Sequence, residues 1–179
     1  AEMIGKHGKR TTFLFQCARS SLGNVPCVFG TGVDITARKR SEHAMLVRER
    51  AMSSSLNAIV ITQCEEGEHR IEYVNPAFEQ ITGYPLAEIK GKDPRFMRAD
   101  GCDLDERRRI REALKRKEGV RAVLRNVRKN GEIFWNDLRI DPVANLDGEI
   151  THFVGVINDI TEARHYERRL HHLAHHDPL

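Results

Sequence analysis

Apolar residues along this chain switch between two periods, and the switches mark its elements. Residues 37–55 are rich in Arg, Lys, Glu, Ala, Met and Leu, without Pro or Gly, which predicts a helix. Met45 and Met52 lie seven apart beside Ala44 and Ala51, a thin seam of the kind that pairs with a second chain. From Asn57 the pattern turns to strand. Ala58-Ile-Val-Ile-Thr62 is a short buried-type run, and Arg70-Ile-Glu-Tyr-Val74 alternates. Asn75-Pro76 then opens a helix, with Asn at the N-cap, Pro at the first helical position and Gly83 as its end. A second helix runs from about Leu104 to Lys117, with Ile110 and Leu114 on one face and Gly119 as terminator. Three longer strands follow, roughly 120–129, 132–143 and 149–159. Asn130-Gly131 reads as a tight hairpin between the first two, and Asp147-Gly148 marks the next turn. Beyond Thr161, Ile160, Ala163, Tyr166, Leu170 and Leu173 form one apolar stripe of coiled-coil type.

Two strands, short helices and three antiparallel strands make an α+β class, with a helical layer on one face of a five-stranded antiparallel sheet. The chain also echoes itself. Gly23, Gly30 and Asp34-Ile35-Thr36 recur as Gly148, Gly155 and Asp159-Ile160-Thr161, all at an offset of 125 residues. The expected organisation is therefore four parts: 1–36, the closing strands of a preceding copy; 37–55, a linker helix; 56–161, a complete domain; and 162–179, a helix leading onward. Three strands without their helical cover are expected to be marginal alone.

Composition narrows the class. The 179 residues are 40% apolar and 31% charged, as in a water-soluble domain with exposed helices. A net charge of +3 does not argue for nucleic acid. No apolar run approaches the roughly 20 residues that span a bilayer. Ala1-Glu-Met-Ile-Gly-Lys6 lacks the apolar core of a secretory signal. The expectation is a cytoplasmic module, with an upstream anchor left open. Cys17, Cys27, Cys64 and Cys102 form no C-x-x-C pair and read as reduced thiols.

Strand parity places the candidate site. Asn126 shares a face with Ala122 and Leu124, and Asn136 shares one with Phe134, Leu138 and Ile140. Two amides among apolar neighbours need partners, since buried polar groups are hydrogen-bonded. Val123, Val127, Ile133, Trp135, Val154 and Val156 fall on the opposite face. A sheet apolar on both faces needs cover on both, from helix 37–55, helix 162–175 or a partner subunit.

Tyr73-Val-Asn-Pro-Ala-Phe-Glu-Gln-Ile-Thr-Gly-Tyr84, Gly91-Lys-Asp-Pro-Arg-Phe96 and Arg128-Lys-Asn-Gly-Glu-Ile-Phe-Trp-Asn136 resemble the PAS domain family, most closely its light-oxygen-voltage branch. The resemblance covers about residues 56–161 and implies the PAS fold. It also implies a flavin, FMN or FAD, held at its pyrimidine edge by Asn126 and Asn136. Arg95 matches a phosphate contact and Leu138 a residue packed on the ring. Four positions depart from the family. Pro94 replaces the cysteine that bonds the flavin in light, and Asp93 replaces an asparagine. Arg98 replaces a glutamine, and Ile157 replaces the glutamine that relays the signal. Dark flavin binding stays open on this reading, and cysteine photochemistry does not.

Three alternatives remain: flavin, another small ligand, or no ligand, with Asn126 and Asn136 bonded to each other. In the last case Asp93 and Arg98 would pair beside a shrunken pocket. Haem is disfavoured because residues 75–117 contain no histidine. The basic run Glu106-Arg-Arg-Arg-Ile-Arg111 and Lys115-Arg-Lys117, lacking aromatics, reads as a solvated helix face. His171, His172, His175 and His176 make two i,i+4 pairs, a chelating spacing without a completing ligand. Leu170-His-His-Leu-Ala-His-His-Asp-Pro-Leu179 resembles the lead-in to a GGDEF domain, the bacterial diguanylate cyclase module. These readings imply a non-enzymatic sensor segment. It would be a homodimer that binds a small molecule and acts in cis on a GGDEF cyclase of the cyclic di-GMP system, with a dual cyclase–phosphodiesterase output left open. The alternative is a ligand-free dimerisation module.

Overall fold

The computed structural model describes residues 1–4, 10–23, 25–65 and 67–175, with side-chain placement through Leu170. It divides into two units, Ala1–Ala51 and a second beginning at Met52. The first unit holds β1 (Glu2–Ile4), β2 (Arg10–Leu22), β3 (Val25–Asp34) and the start of α1 (Thr36–Ser53). Its strands form an antiparallel sheet in the order β1-β2-β3.

The second unit contains β4 (Ala58–Glu65), β5 (Glu68–Val74), α2 (Pro76–Thr82), α3 (Leu86–Ile89), a 3-10 turn (Pro94–Met97) and α4 (Leu104–Lys115). It continues with β6 (Val120–Val127), β7 (Ile133–Ala144), β8 (Ile150–Asp159) and α5 (Thr161–His175). The sheet order is β5-β4-β8-β7-β6, antiparallel throughout. The expected α+β class and five-stranded sheet are both present. Ala58, Val60, Ile71, Phe78, Ile89, Met97, Phe134 and Ile157 form the core between the sheet and the short helices.

Asn75 shows how one residue fixes several elements. Its Oδ1 accepts from Phe78 N at 3.0 Å, capping α2, and from Ile59 N at 2.8 Å, anchoring β4. Its Nδ2 donates to the carbonyls of Met52 and Asn57 at 3.1 and 3.0 Å. The amide is fully buried with all four hydrogen-bonding positions filled, as burial demands.

The two Asp-Ile-Thr segments build the same junction. Thr36 N donates to Asp34 Oδ1 at 2.8 Å, Thr12 N to Thr36 Oγ1 at 2.8 Å, and Ile35 N to the Thr12 carbonyl at 2.8 Å. Thr161 N donates to Asp159 Oδ1, Trp135 N to Thr161 Oγ1, and Ile160 N to the Trp135 carbonyl, each at 2.9 Å. Each side chain satisfies a backbone group where strand gives way to helix.

Two local expectations need correction. A two-residue turn at Asn130-Gly131 requires positive φ at both residues, but only Gly131 has it, at 87°. The connection is longer, spanning residues 128–132. It closes through Arg128 N on the Glu132 carbonyl at 2.8 Å. Helix α4 ends at Lys115, two residues short of the expected Lys117, and Gly119 is not its terminator. Lys117 takes the left-handed conformation, φ 58°, two residues before Gly119. At Gly119 a Cβ would come within 3.2 Å of Asp141 Oδ1, a close contact that the Asp141 side chain would have to yield to.

Candidate functional site

Alternation along four strands sends one set of side chains into a cavity of about 510 Å³ between sheet and helices. From the sheet come Thr62 and Cys64 of β4, Asn126 of β6, Asn136 and Leu138 of β7, and Ile157 of β8. The 3-10 turn contributes Asp93, Pro94 and Arg95, followed by Arg98. All seven residues expected at a ligand site therefore line one cavity.

Asn126 and Asn136 do bond each other, as the ligand-free alternative requires, but that bond does not satisfy them both. Asn126 Nδ2 donates to the Met97 carbonyl at 2.8 Å, which turns its Oδ1 toward β7. Asn136 Nδ2 donates to that Oδ1 at 2.9 Å. The Met97 carbonyl thus sets the direction of the whole chain, and exchanging O and N on Asn136 would face two acceptors together. Asn136 Oδ1 is left buried without a partner, on a residue only 1% exposed. An acceptor so placed costs about 1–3 kcal/mol.

The proposed Asp93–Arg98 pair does not form. Arg95 takes Asp93 instead, through Nε at 2.8 Å, its backbone N at 2.9 Å and a further contact from Nη2. Burial pushes the Asp93 carboxyl up, but the hydrogen bonds from Arg95 outweigh it and leave the group below its usual value. Arg98 has no salt-bridge partner among the described residues, and burial followed by the charges of Arg95, Arg107 and Arg111 lowers its proton affinity against the pull of Asp93.

Sequence reasoning missed three contributors. Cys64 lines the cavity wall. His69 also lines it, with its Nδ1 buried and unpartnered and its ring edge-on to Phe153 at 5.3 Å. Burial first, and Arg95 in part, push the His69 imidazole below its ordinary value against the pull of Asp93. The third is half of the basic run. Arg108, Arg109 and Arg116 pair with surface acids, but Arg107, Arg111, Lys115 and Lys117 face the cavity. The signal was present in the spacing. Arg107, Ile110, Arg111, Leu114 and Lys115 lie on one i,i+3/i+4 face of α4.

On the opposite face of the sheet, Val123, Val127, Trp135, Val154 and Val156 are half-buried. The start of α5 covers the Trp135 end, with the Arg164 guanidinium 4.0 Å from the ring centre and Arg125 at 5.3 Å. Tyr166 and Leu170 of the α5 stripe are 64% and 68% exposed. Leu173 and the histidine pairs at 171–176 lie outside the described side chains. No helix among the described residues is long and apolar enough to cross a membrane.

A model of the PAS domain family matches residues 56–162. A blue-light photoreceptor of Listeria innocua is 36% identical over 121 residues, which is 68% of this chain and 47% of that protein. A blue-light-activated histidine kinase of Brucella canis is 35% identical over 111 residues, 62% of this chain and 23% of the kinase. The solved structure of an RNA-binding light-oxygen-voltage receptor superposes with a TM-score of 0.65 at 30% identity, covering 92% of this chain and 44% of that one. The chain thus spans half or less of the length of these relatives. With the sheet order, the cavity and this match in hand, the chain belongs to the PAS domain family.

Proposed function

We propose that residues 56–161 are a sensory module that holds a flavin in the cavity and passes its state to α5. The observation that carries this reading is Asn136 Oδ1, a buried acceptor without a partner on a residue that lines the cavity. The fully buried amide of Asn75, by contrast, fills every position from within the chain. The cavity volume lies within the roughly 300–1,000 Å³ of small-molecule sites. Blue-light photoreceptors among the relatives support a flavin in particular.

The residues present fit that group. Asn136 would accept a hydrogen bond from it, Leu138 and Ile157 would supply apolar wall, and the cations that line the cavity would meet its anionic tail. A bound flavin absorbs visible light and exchanges electrons. The resemblance matches Pro94 to the family's thiol and Ile157 to its amide relay, which supports reading this module as a reporter of occupancy or redox state rather than of cysteine photochemistry. The output path is the β8–α5 junction. Arg128 joins Asp159 at that junction to the Ile81 carbonyl of α2. Two copies would pair through the α5 stripe and the exposed sheet face, placing downstream GGDEF domains together. The repeated Asp-Ile-Thr junction supports reading residues 1–36 as the closing strands of a preceding PAS copy.

Equilibrium dialysis against FMN and FAD tests the reading. The chain should retain flavin, and Asn136→Leu should weaken retention at least tenfold. No retention by a folded chain would leave a ligand-free dimerisation module.

A further inference from the structure

Asp103 stands at the N-cap of α4 and does not cap it. An N-cap carboxylate ordinarily accepts from a backbone N–H of the first turn, and Asp103 makes no such bond. Its backbone is left-handed, φ 55° and ψ 41°, which only Asp103 and Lys117 share among the described non-glycine residues with positive φ. The carboxylate reaches β6 instead. Oδ2 accepts from Arg125 N at 2.8 Å and from Arg125 Nε at 3.3 Å, and Oδ1 accepts from Arg125 Nη2 at 3.2 Å. Because β6 is an edge strand, one of these bonds also satisfies a backbone N–H that the sheet leaves open.

The contacts continue across the outer face of the sheet. Arg125 pairs with Trp135 of β7, its guanidinium carbon 5.3 Å from the ring centre. Arg164, from the first turn of α5, places its own guanidinium 4.0 Å from the same ring. Each cation is attracted to the ring, but two like charges beside one ring repel each other. The Asp103 carboxylate offsets that repulsion. Trp135 is also tied to the start of α5 through its backbone, by Thr161 Oγ1 and Ile160 N, each at 2.9 Å. At the other end of the series, α4 places Ile110 and Leu114 in the cavity wall.

We infer that Asp103 is a positioning residue that couples α4 to α5 through Arg125, Trp135 and Arg164, a second route to the output helix beside the Arg128–Asp159 junction. This rests on the sensory reading above for α5 as the output, and not on which ligand fills the cavity. A series of contacts transmits only where its links are energetically non-additive, and non-additivity is what the test reads.

Hydrogen exchange of the full chain is followed without ligand at residues 160–165, with β4 and β8 as the internal reference. Asp103→Gly removes the carboxylate and keeps a residue suited to the left-handed backbone. It should speed exchange at 160–165 at least threefold and leave β4 and β8 unchanged. Arg125→Met, which cuts the next link, should give the same increase. Arg164→Met should do at least as much, and the double variant Asp103→Gly/Arg164→Met should exchange no faster than Arg164→Met alone. Arg108→Gln, which loses only an exposed ion pair with Asp105, should change nothing at 160–165. Unaltered exchange at 160–165 in Asp103→Gly or Arg125→Met, independent effects in the double variant, or equal acceleration in β4 and β8 overturns the coupling. Failure of the full chain to retain FMN or FAD overturns the flavin reading and leaves this coupling standing.

Discussion

Asn136 gives its amide proton to Asn126 at 2.9 Å and leaves its own oxygen with nothing to accept. This asymmetry separates a binding site from a self-satisfied polar pair. Asn126→Ala should cost about 1–3 kcal/mol, because it strands both the Met97 carbonyl and the Asn136 amide. Replacing both asparagines by leucine should cost less, since the Met97 carbonyl is stranded in either case but no unpaired Asn136 amide remains. Urea denaturation of the three proteins checks the order.

His69 gives the chain a stability loss in mildly acidic solution. Its folded value lies below the unfolded one of about 6.5, so the unfolded chain takes the proton first. Stability should therefore be unaffected by His69 above about pH 6.5 and fall as pH drops from there toward the folded value. Asp93 and Asp159, both held below their usual values, contribute stability that is lost only at lower pH, from about 4 downward. His69→Gln should flatten the first slope and leave the second. Denaturant midpoints at intervals between pH 7 and pH 3 resolve the two.

Gly155 marks the tightest backbone approach on the cavity wall. A Cβ there would lie 2.8 Å from Val60 Cγ1 on the adjacent strand. Gly155→Ala should destabilise by about 1–3 kcal/mol through overpacking. Adding Val60→Ala should recover part of that loss, although Val60→Ala alone also destabilises. A double-mutant cycle in thermal denaturation measures the coupling.

Arg128 holds the output junction from inside. It donates to the Ile81 carbonyl and Asp159, and its guanidinium sits 4.5 Å from the Phe134 ring centre. Arg128→Met should cost about 1–3 kcal/mol, and it should loosen α5 more than the sheet. Hydrogen exchange at residues 160–165 should accelerate while exchange in β6 and β8 stays slow.

Much of this arrangement was legible in local pattern. Alternation placed Asn126 with Ala122 and Leu124, and Asn136 with Phe134, Leu138 and Ile140, because side-chain direction in a strand depends only on parity, while Ile157 came from the family resemblance. Asn75-Pro76 announced α2 because capping is a contact within four residues. The misses were non-local. Asp93 could have paired with Arg95 or Arg98, and the choice turned on the 3-10 turn that Asp93 itself caps. His69 joined the cavity through the β4–β5 hairpin, where Cys64 and His69 stand opposite each other. The basic run of α4 was divided by helical phase, so neighbours in sequence such as Arg107 and Arg108 have different surroundings.

The most direct measurement is the visible absorption spectrum of the purified full chain, before and after flavin nucleotide is added and excess removed. The account requires a retained flavin band that bleaches on chemical reduction and is unchanged by blue light in the dark-adapted, oxidised protein. A folded chain that stays colourless after incubation with FMN and FAD would contradict it.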